Sequence, residues 1–229
     1  MSLFGEIVEP GTRTAWEDWD DVEQENNIPE LKWNNLLEVP NTVDLLIILD
    51  GKHISDTVKL HSQDSIELQN TVKEASLSLY KIKLRNAYIC ILKDYNLLFS
   101  SEIVELLRDF IEKSKDIIVL LNKPVSEYQT NSLVYQPCII RSLTTSKTQT
   151  NSYGFDYPKL EQPNIISGVA AGVLTLREHL DLSATVVVYY LEYLESCQVE
   201  EIHSLLQKLD ISVVSNPTPS SITNSNLYI

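Results

Sequence analysis

The sequence predicts an α/β domain, a mixed and mostly parallel sheet flanked by helices, and two observations support this. Short apolar runs bounded by turn residues recur at Val43–Leu49 (VDLLIIL), Ile117–Leu121 (IIVLL) and Ala184–Leu191 (ATVVVYYL). Runs with no polar alternation belong to strands covered on both faces, as parallel strands are. Amphipathic stretches of helical period fall between and after these runs, and alternation of that kind builds helices onto a sheet. Composition shifts at both ends divide the chain into an acidic N-terminal arm over residues 1–40, a single domain over 41–211 and a flexible tail over 212–229.

Val43–Leu49 is ended by Asp50-Gly51, the mark of a buried strand entering a turn. Residues 52–75 are polar and support no assignment. Ser76–Leu84 places Leu77, Leu79, Ile82 and Leu84 among polar positions, which suggests a strand; Arg85-Asn86 then turns the chain into a hairpin partner, Ala87–Leu92 (AYICIL). Phe99–Lys115 reads as a helix with Ser100 as N-cap, Glu102 at the positive end of the dipole, and Lys113 and Lys115 at the other. Its stripe is Ile103, Leu106, Leu107 and Phe110, spaced to face a core. Ile117–Leu121 is the next strand, closed by Asn122-Lys123-Pro124 because proline cannot join a central ladder. Cys138–Leu143 is a further strand and Thr144–Gly154 a polar loop. A second helix starts at Asn164 or Ile166 and reaches Leu180, with Ile166, Val169, Ala170, Val173 and Leu174 apolar. Ala184–Leu191 is a β-branched strand, and a last helix over Ser196–Asp210 aligns Ile202, Leu205, Leu206 and Leu209.

The net charge of −14 is unevenly placed: residues 1–40 carry −8 and the remainder −6. No basic patch is visible to neutralise phosphates, which disfavours nucleic acid, and an anionic membrane surface would repel the chain. The opening MSLFGEIVEP is acidic and lacks an apolar run, so it is not expected to act as a signal peptide. The weakly polar stretch Ile165–Leu176 is too short to span a bilayer. Cys90, Cys138 and Cys197 are odd in number and widely spaced, as reduced thiols in cytosol or nucleus are. Trp16–Glu25 (WEDWDDVEQE) joins two tryptophans to six carboxylates. It reads as a solvated arm, or as a strip that orders on a basic partner.

No catalytic constellation is evident. With only six glycines in the chain, no glycine-rich loop can converge backbone N–H groups on a phosphate, and no G-x-S-x-G elbow occurs. His53 and His61 lie among Asp50, Asp56 and Asp64, but their spacing matches no ligand motif and they read as solvated loop residues. His179 and His203 imply no partner, and neither Cys90 nor Cys138 has a base beside it. Gly168 and Gly172, one turn apart, read as a point where a helix packs closely inside the chain. No metal or cofactor is expected.

The end of the chain is different. Ser212–Asn226 (SVVSNPTPSSITNSN) cannot bury enough surface to offset roughly 1–2 kcal/mol of ordering entropy per residue. It leads to Leu227, Tyr228 and Ile229, large side chains beside a terminal carboxylate on a flexible tether.

Three islands, in order along the chain, resemble the proteasome assembly chaperone 1 family. Leu160–Leu191 opens with the family's LEQPNI run (Leu160, Glu161, Gln162, Pro163, Asn164 and Ile165), followed by a helix and a tyrosine-bearing, β-branched strand. Phe4-Gly5-Glu6-Ile7-Val8 resembles its FGE-V opening, and Asn226-Leu227-Tyr228 its hydrophobic–Tyr–any ending; residues 50–155 carry no matching motif. The resemblance implies a non-enzymatic chaperone of proteasome core-particle assembly. It would act as a heterodimer with proteasome assembly chaperone 2, hold α-subunits while the α-ring forms, and block premature capping or ring dimerisation. Leu227, Tyr228 and Ile229 correspond to a tail motif that docks between adjacent α-subunits. Pro163 and Asn164 are expected to turn the chain into the helix, with Asn164 as N-cap. The implied location is the cytoplasm, with the nucleus and the endoplasmic reticulum surface as further sites. Two other readings exist: an adaptor whose Leu227-x-Ile229 terminus is a PDZ-type ligand, which would add a strand to its receptor, and an α/β hydrolase-like enzyme.

Overall fold

Hydrophobicity sorts the strands across the sheet. The computed structural model describes residues 30–57, 66–83, 85–130, 138–148, 153–154, 156–191, 196–209 and 211. Seven strands, β1 (Val43–Asp50), β2 (Ile66–Val72), β3 (Leu77–Ile82), β4 (Ala87–Leu92), β5 (Ser114–Pro124), β6 (Cys138–Thr144) and β7 (Thr185–Leu191), form one sheet in the order β2-β3-β4-β1-β5-β7-β6. β4, β1, β5 and β7 run parallel at its centre, and their side chains are buried almost continuously. β2, β3 and β6 add three antiparallel ladders outside three parallel ones, so the sheet is mixed, with its parallel part central. The expected β3–β4 hairpin is present.

Helices α2 (Ser100–Lys113) and α3 (Gly168–His179) cover one face, α1 (Lys52–Thr57) and α4 (Ser196–Lys208) the other. The sheet core beneath α2 and α3 is built on Leu46, Ile48, Val119, Val186 and Val188, and that beneath α4 on Ile47, Leu49, Leu120 and Val187. Each helix after a parallel strand returns the chain from the carboxyl edge of the sheet to its amino edge. Residues 30–40, counted from the sequence with the acidic arm, lie against the domain. Leu31 is buried, Trp33, Leu37 and Val39 pack on the core, and the Asn35 and Asn70 side chain and backbone exchange bonds of 3.1 and 2.7 Å.

The region 52–75 contains α1 and β2, which pattern alone did not separate. β2 (IELQNTV) is polar because it is an edge strand, and its ladder to β3 overrides weak propensity. The N-terminus of α2 also differs from expectation. A 3-10 turn at Leu97–Phe99 precedes it, capped by the Asn96 side chain, while Ser100 is already helical and donates its hydroxyl to Leu97 O at 2.5 Å. Ile111, rather than the half-buried Leu106, is the fourth buried residue of the α2 stripe.

α3 carries the two close contacts expected of Gly168 and Gly172. A Cβ on Gly172 would stand 2.8 Å from Val104 Cγ2 on α2, and one on Gly168 would stand 2.6 Å from Tyr95 Oη. Gly168 also has φ +72°, in the left-handed region that glycine tolerates best. One turn beyond Val173 the stripe meets Arg177, which is fully buried. Its guanidinium donates to Ile111 O (2.8 Å), Ser114 O (2.7 Å), Lys115 O (3.0 Å) and Ser183 O (2.5 and 3.0 Å). It therefore satisfies the end of α2, the start of β5 and the α3–β7 turn together. Burial pushes the guanidinium down to about 10, and the charge of nearby Asp116 opposes the shift.

Replacing Arg177 with Met should cost about 3–5 kcal/mol, because carbonyl oxygens on three segments lose a charged donor in a dry site. Arg177→Lys should recover little of this, since one ammonium cannot reproduce the planar fork. Urea denaturation measures both, and a loss below about 1 kcal/mol in the Met variant would contradict this role.

Candidate functional site

In open α/β sheets the functional edge lies outside the carboxyl ends of the parallel strands, where the chain order reverses. Here β4 and β5 flank β1 on opposite sides, so that point is the end of β1, at Asp50 and Gly51. Asp50 is only 5 % exposed. Tyr95, from the loop after β4, donates its hydroxyl to Asp50 Oδ2 at 3.3 Å and accepts the Val169 N–H at 3.0 Å. The Ala170 N–H also points at the Asp50 carboxylate. β1, the β4–α2 loop and the start of α3 thus meet on one buried acid. Burial pushes Asp50 up to about 6 against the bonds from Tyr95 and Ala170, and burial, helped by the Asp50 charge, raises the Tyr95 phenol and the Cys90 thiol.

The LEQPNI run forms a turn beside this edge, and its residues divide by role. Leu160 packs on the core, and its N–H bonds Ser142 O at 2.9 Å. Glu161 accepts from Arg141 Nε at 2.8 Å and from the Tyr128 hydroxyl, while Arg141 Nη2 donates to Tyr128 Oη at 2.7 Å and stacks over its ring. The hydrogen bond from Arg141 leads in holding the Glu161 carboxyl down to about 2. Gln162 and Pro163 are exposed. Asn164 was expected to be the N-cap of α3, but that position is Ser167, whose side chain makes no capping bond. The Asn164 amide instead accepts from Gln129 N (2.7 Å) and donates to Gln129 O (2.8 Å) and Glu161 O (3.0 Å). Lys123 pairs with Glu127 at 3.0 Å and donates to Ile165 O at 3.3 Å, while the Ile165 side chain is 76 % exposed. The signature turn is thus fastened to β6 and to the segment after β5, and it presents an apolar side chain to solvent.

Arg141, Tyr128 and Asp50 did not stand out as site residues in the sequence. Tyr128 and Arg141 meet Glu161 across 33 and 20 positions, a separation no local pattern reveals. The tail residues Leu227, Tyr228 and Ile229, the opening Phe4–Val8, the strip Trp16–Glu25 and His61 lie outside the described residues. α4 returns the chain to the amino edge, where Lys208 Nζ donates to Gly154 O at 3.2 Å, so Ile211 lies at the edge opposite Asp50. Among the described residues no acid, histidine or cysteine cluster has metal-ligand geometry, and no helix is long and apolar enough to cross a membrane.

A parallel core with antiparallel flanks and helices on both faces defines an α/β fold that solved structures share. PbaA from Pyrococcus furiosus, an archaeal homolog of proteasome-assembly chaperone, superposes with a TM-score of 0.51 at 12 % identity over 82 % of this chain and 89 % of that one. Its monoclinic form gives 0.50 at 13 % identity over 81 % and 84 %. A protein of unknown function from Thermoplasma acidophilum gives 0.51 at 8 % identity over 79 % and 82 %. No protein-family model and no curated protein matches the chain.

Asp50 leads to a pH test. Its folded value of about 6 lies above the ordinary 3.8, so the folded state keeps a proton that the unfolded chain has released between those values. The contribution is most favourable below pH 4 and is lost as the pH rises through 6, a change of about 3 kcal/mol. Asp50→Asn cannot ionise, so its stability relative to the parent should rise by that amount between pH 4 and pH 8. Urea titrations across this range that run parallel for the two proteins would contradict it.

Proposed function

We propose that this chain is a non-enzymatic assembly chaperone of the proteasome core particle. The observation that carries the proposal is the fold, shared with an archaeal homolog of proteasome-assembly chaperone over 82 % of the chain. The LEQPNI turn, the FGE-V opening and the hydrophobic–Tyr–any terminus support it as family resemblances. In this reading the chain pairs with proteasome assembly chaperone 2, and the pair holds α-subunits during ring formation. Leu227, Tyr228 and Ile229 dock in a pocket between adjacent α-subunits, on a tether spanning residues 212–226.

The energetics of such an anchor suit a factor that must later leave. Burying Leu227 contributes roughly 1.5–3 kcal/mol, and a carboxylate–lysine bond about 1.5–3 kcal/mol. Ordering the tether offsets much of this, so the motif binds weakly until a docked domain raises its effective concentration.

Deleting Leu227–Ile229 should leave folding and pairing intact and speed dissociation from purified α-rings, about tenfold or more, because an anchor engaged after docking lengthens residence. Tyr228→Ala should do nearly the same, whereas a PDZ-type ligand would tolerate it. Off-rates measured on immobilised rings decide the matter, and identical values for intact and truncated pairs would remove the tail from the mechanism.

A further inference from the structure

Five large apolar side chains stand exposed among the described residues, and three of them, Leu97 (63 %), Leu98 (62 %) and Ile165 (76 %), lie on the carboxyl edge. Leu97 Cδ2 would be 3.3 Å from a Cβ on Gly168, and three residues of chain, at most about 10 Å, join Gly168 to Ile165. Both supports are held by hydrogen bonds. Asn96 caps the turn bearing Leu97 and Leu98, and Asn164 and Lys123 grip the backbone on either side of the Ile165 side chain. Apolar groups on a pre-ordered backbone lose little entropy when a partner covers them.

We infer that Leu97, Leu98 and Ile165 form the surface on which the partner chaperone docks, the partner presenting an apolar patch rimmed by lysine or arginine. This rests on the assembly-chaperone reading. Two observations choose that occupant. The chain leaves Ile211 at the amino edge, and the eleven residues of β5 separate the two edges by about 35 Å. A tether of eighteen residues averages roughly 25 Å, so a ring gripped by the tail meets the amino edge and leaves the carboxyl edge facing away. The residues after the acidic arm still carry −6, which disfavours a second copy of this chain and favours a partner of opposite sign.

The test co-expresses the chain with its partner chaperone and measures pairing by sedimentation and surface binding. Leu97→Asp/Leu98→Asp and Ile165→Asp should each weaken pairing at least tenfold, while Leu36→Asp, at a position 97 % exposed beside β2, should not. All three variants should keep the parent's circular dichroism and the tail-dependent binding to α-rings, which separates a lost surface from a lost fold. Pairing unchanged in the edge variants would overturn the assignment. So would parent homodimers that the same substitutions dissolve, which would make a second copy the occupant. If the parent chain does not pair with the partner at all, the assembly-chaperone reading itself fails and takes this surface with it.

Discussion

The architecture depends on one buried guanidinium. Parallel strands need long crossovers, and α2 and α3 lie on the two that place β5 beside β1 and β7 beside β5. Those helices must end where the next strand begins, and helix ends leave carbonyls unsatisfied. Arg177 collects carbonyls from the end of α2, the start of β5 and the α3–β7 turn, and among the described residues no carboxylate is bonded to it. Only arginine has enough donors in a fixed plane to do this while staying charged in a dry site. Gly172 against Val104 lets the two helices approach closely enough for that reach. The amino edge of the sheet is therefore the rigid one, tied by a charge the fold cannot easily move.

The carboxyl edge is held differently, by polar contacts between segments distant in sequence. Asp50, Tyr95 and the start of α3 lock the loop after β4, while Arg141, Tyr128, Glu161 and Asn164 lock the turn before α3. These polar side chains bond to one another or to backbone, and the exposed aliphatic side chains of Leu97, Leu98 and Ile165 stand among them.

The central strands were legible because burial on both faces leaves a continuous apolar run, as in VDLLIIL and TVVVYYL. The α3 stripe was legible too, and one further turn along it led to position 177, where an arginine on a core-facing register was a signal that could have been read. β2 was not legible, since an edge strand can turn Glu67 and Gln69 toward solvent, while Asn70 is buried only because Asn35, distant in sequence, bonds its side chain. Asn164 was misread for a physical reason: a residue just before a helix looks like its cap, whereas its partner, Gln129, lies 35 positions away. Of the proposed site, the apolar–Tyr terminus was visible as a motif, while the Leu97–Ile165 surface emerges only once a loop and a turn far apart in sequence are brought to one edge.

In the proposed function the two edges of this domain face different proteins, α-subunits at the amino edge and the partner chaperone at the carboxyl edge. Lysine cross-linking of the chaperone pair bound to core-particle precursors tests it directly. Lys113, Lys115, Lys147 and Lys208 mark the amino edge, and Lys73 and Lys93 the carboxyl edge. The account predicts cross-links from the first group to α-subunits and from the second to the partner chaperone. The reverse assignment, or α-subunit cross-links spread evenly over both groups, would contradict it.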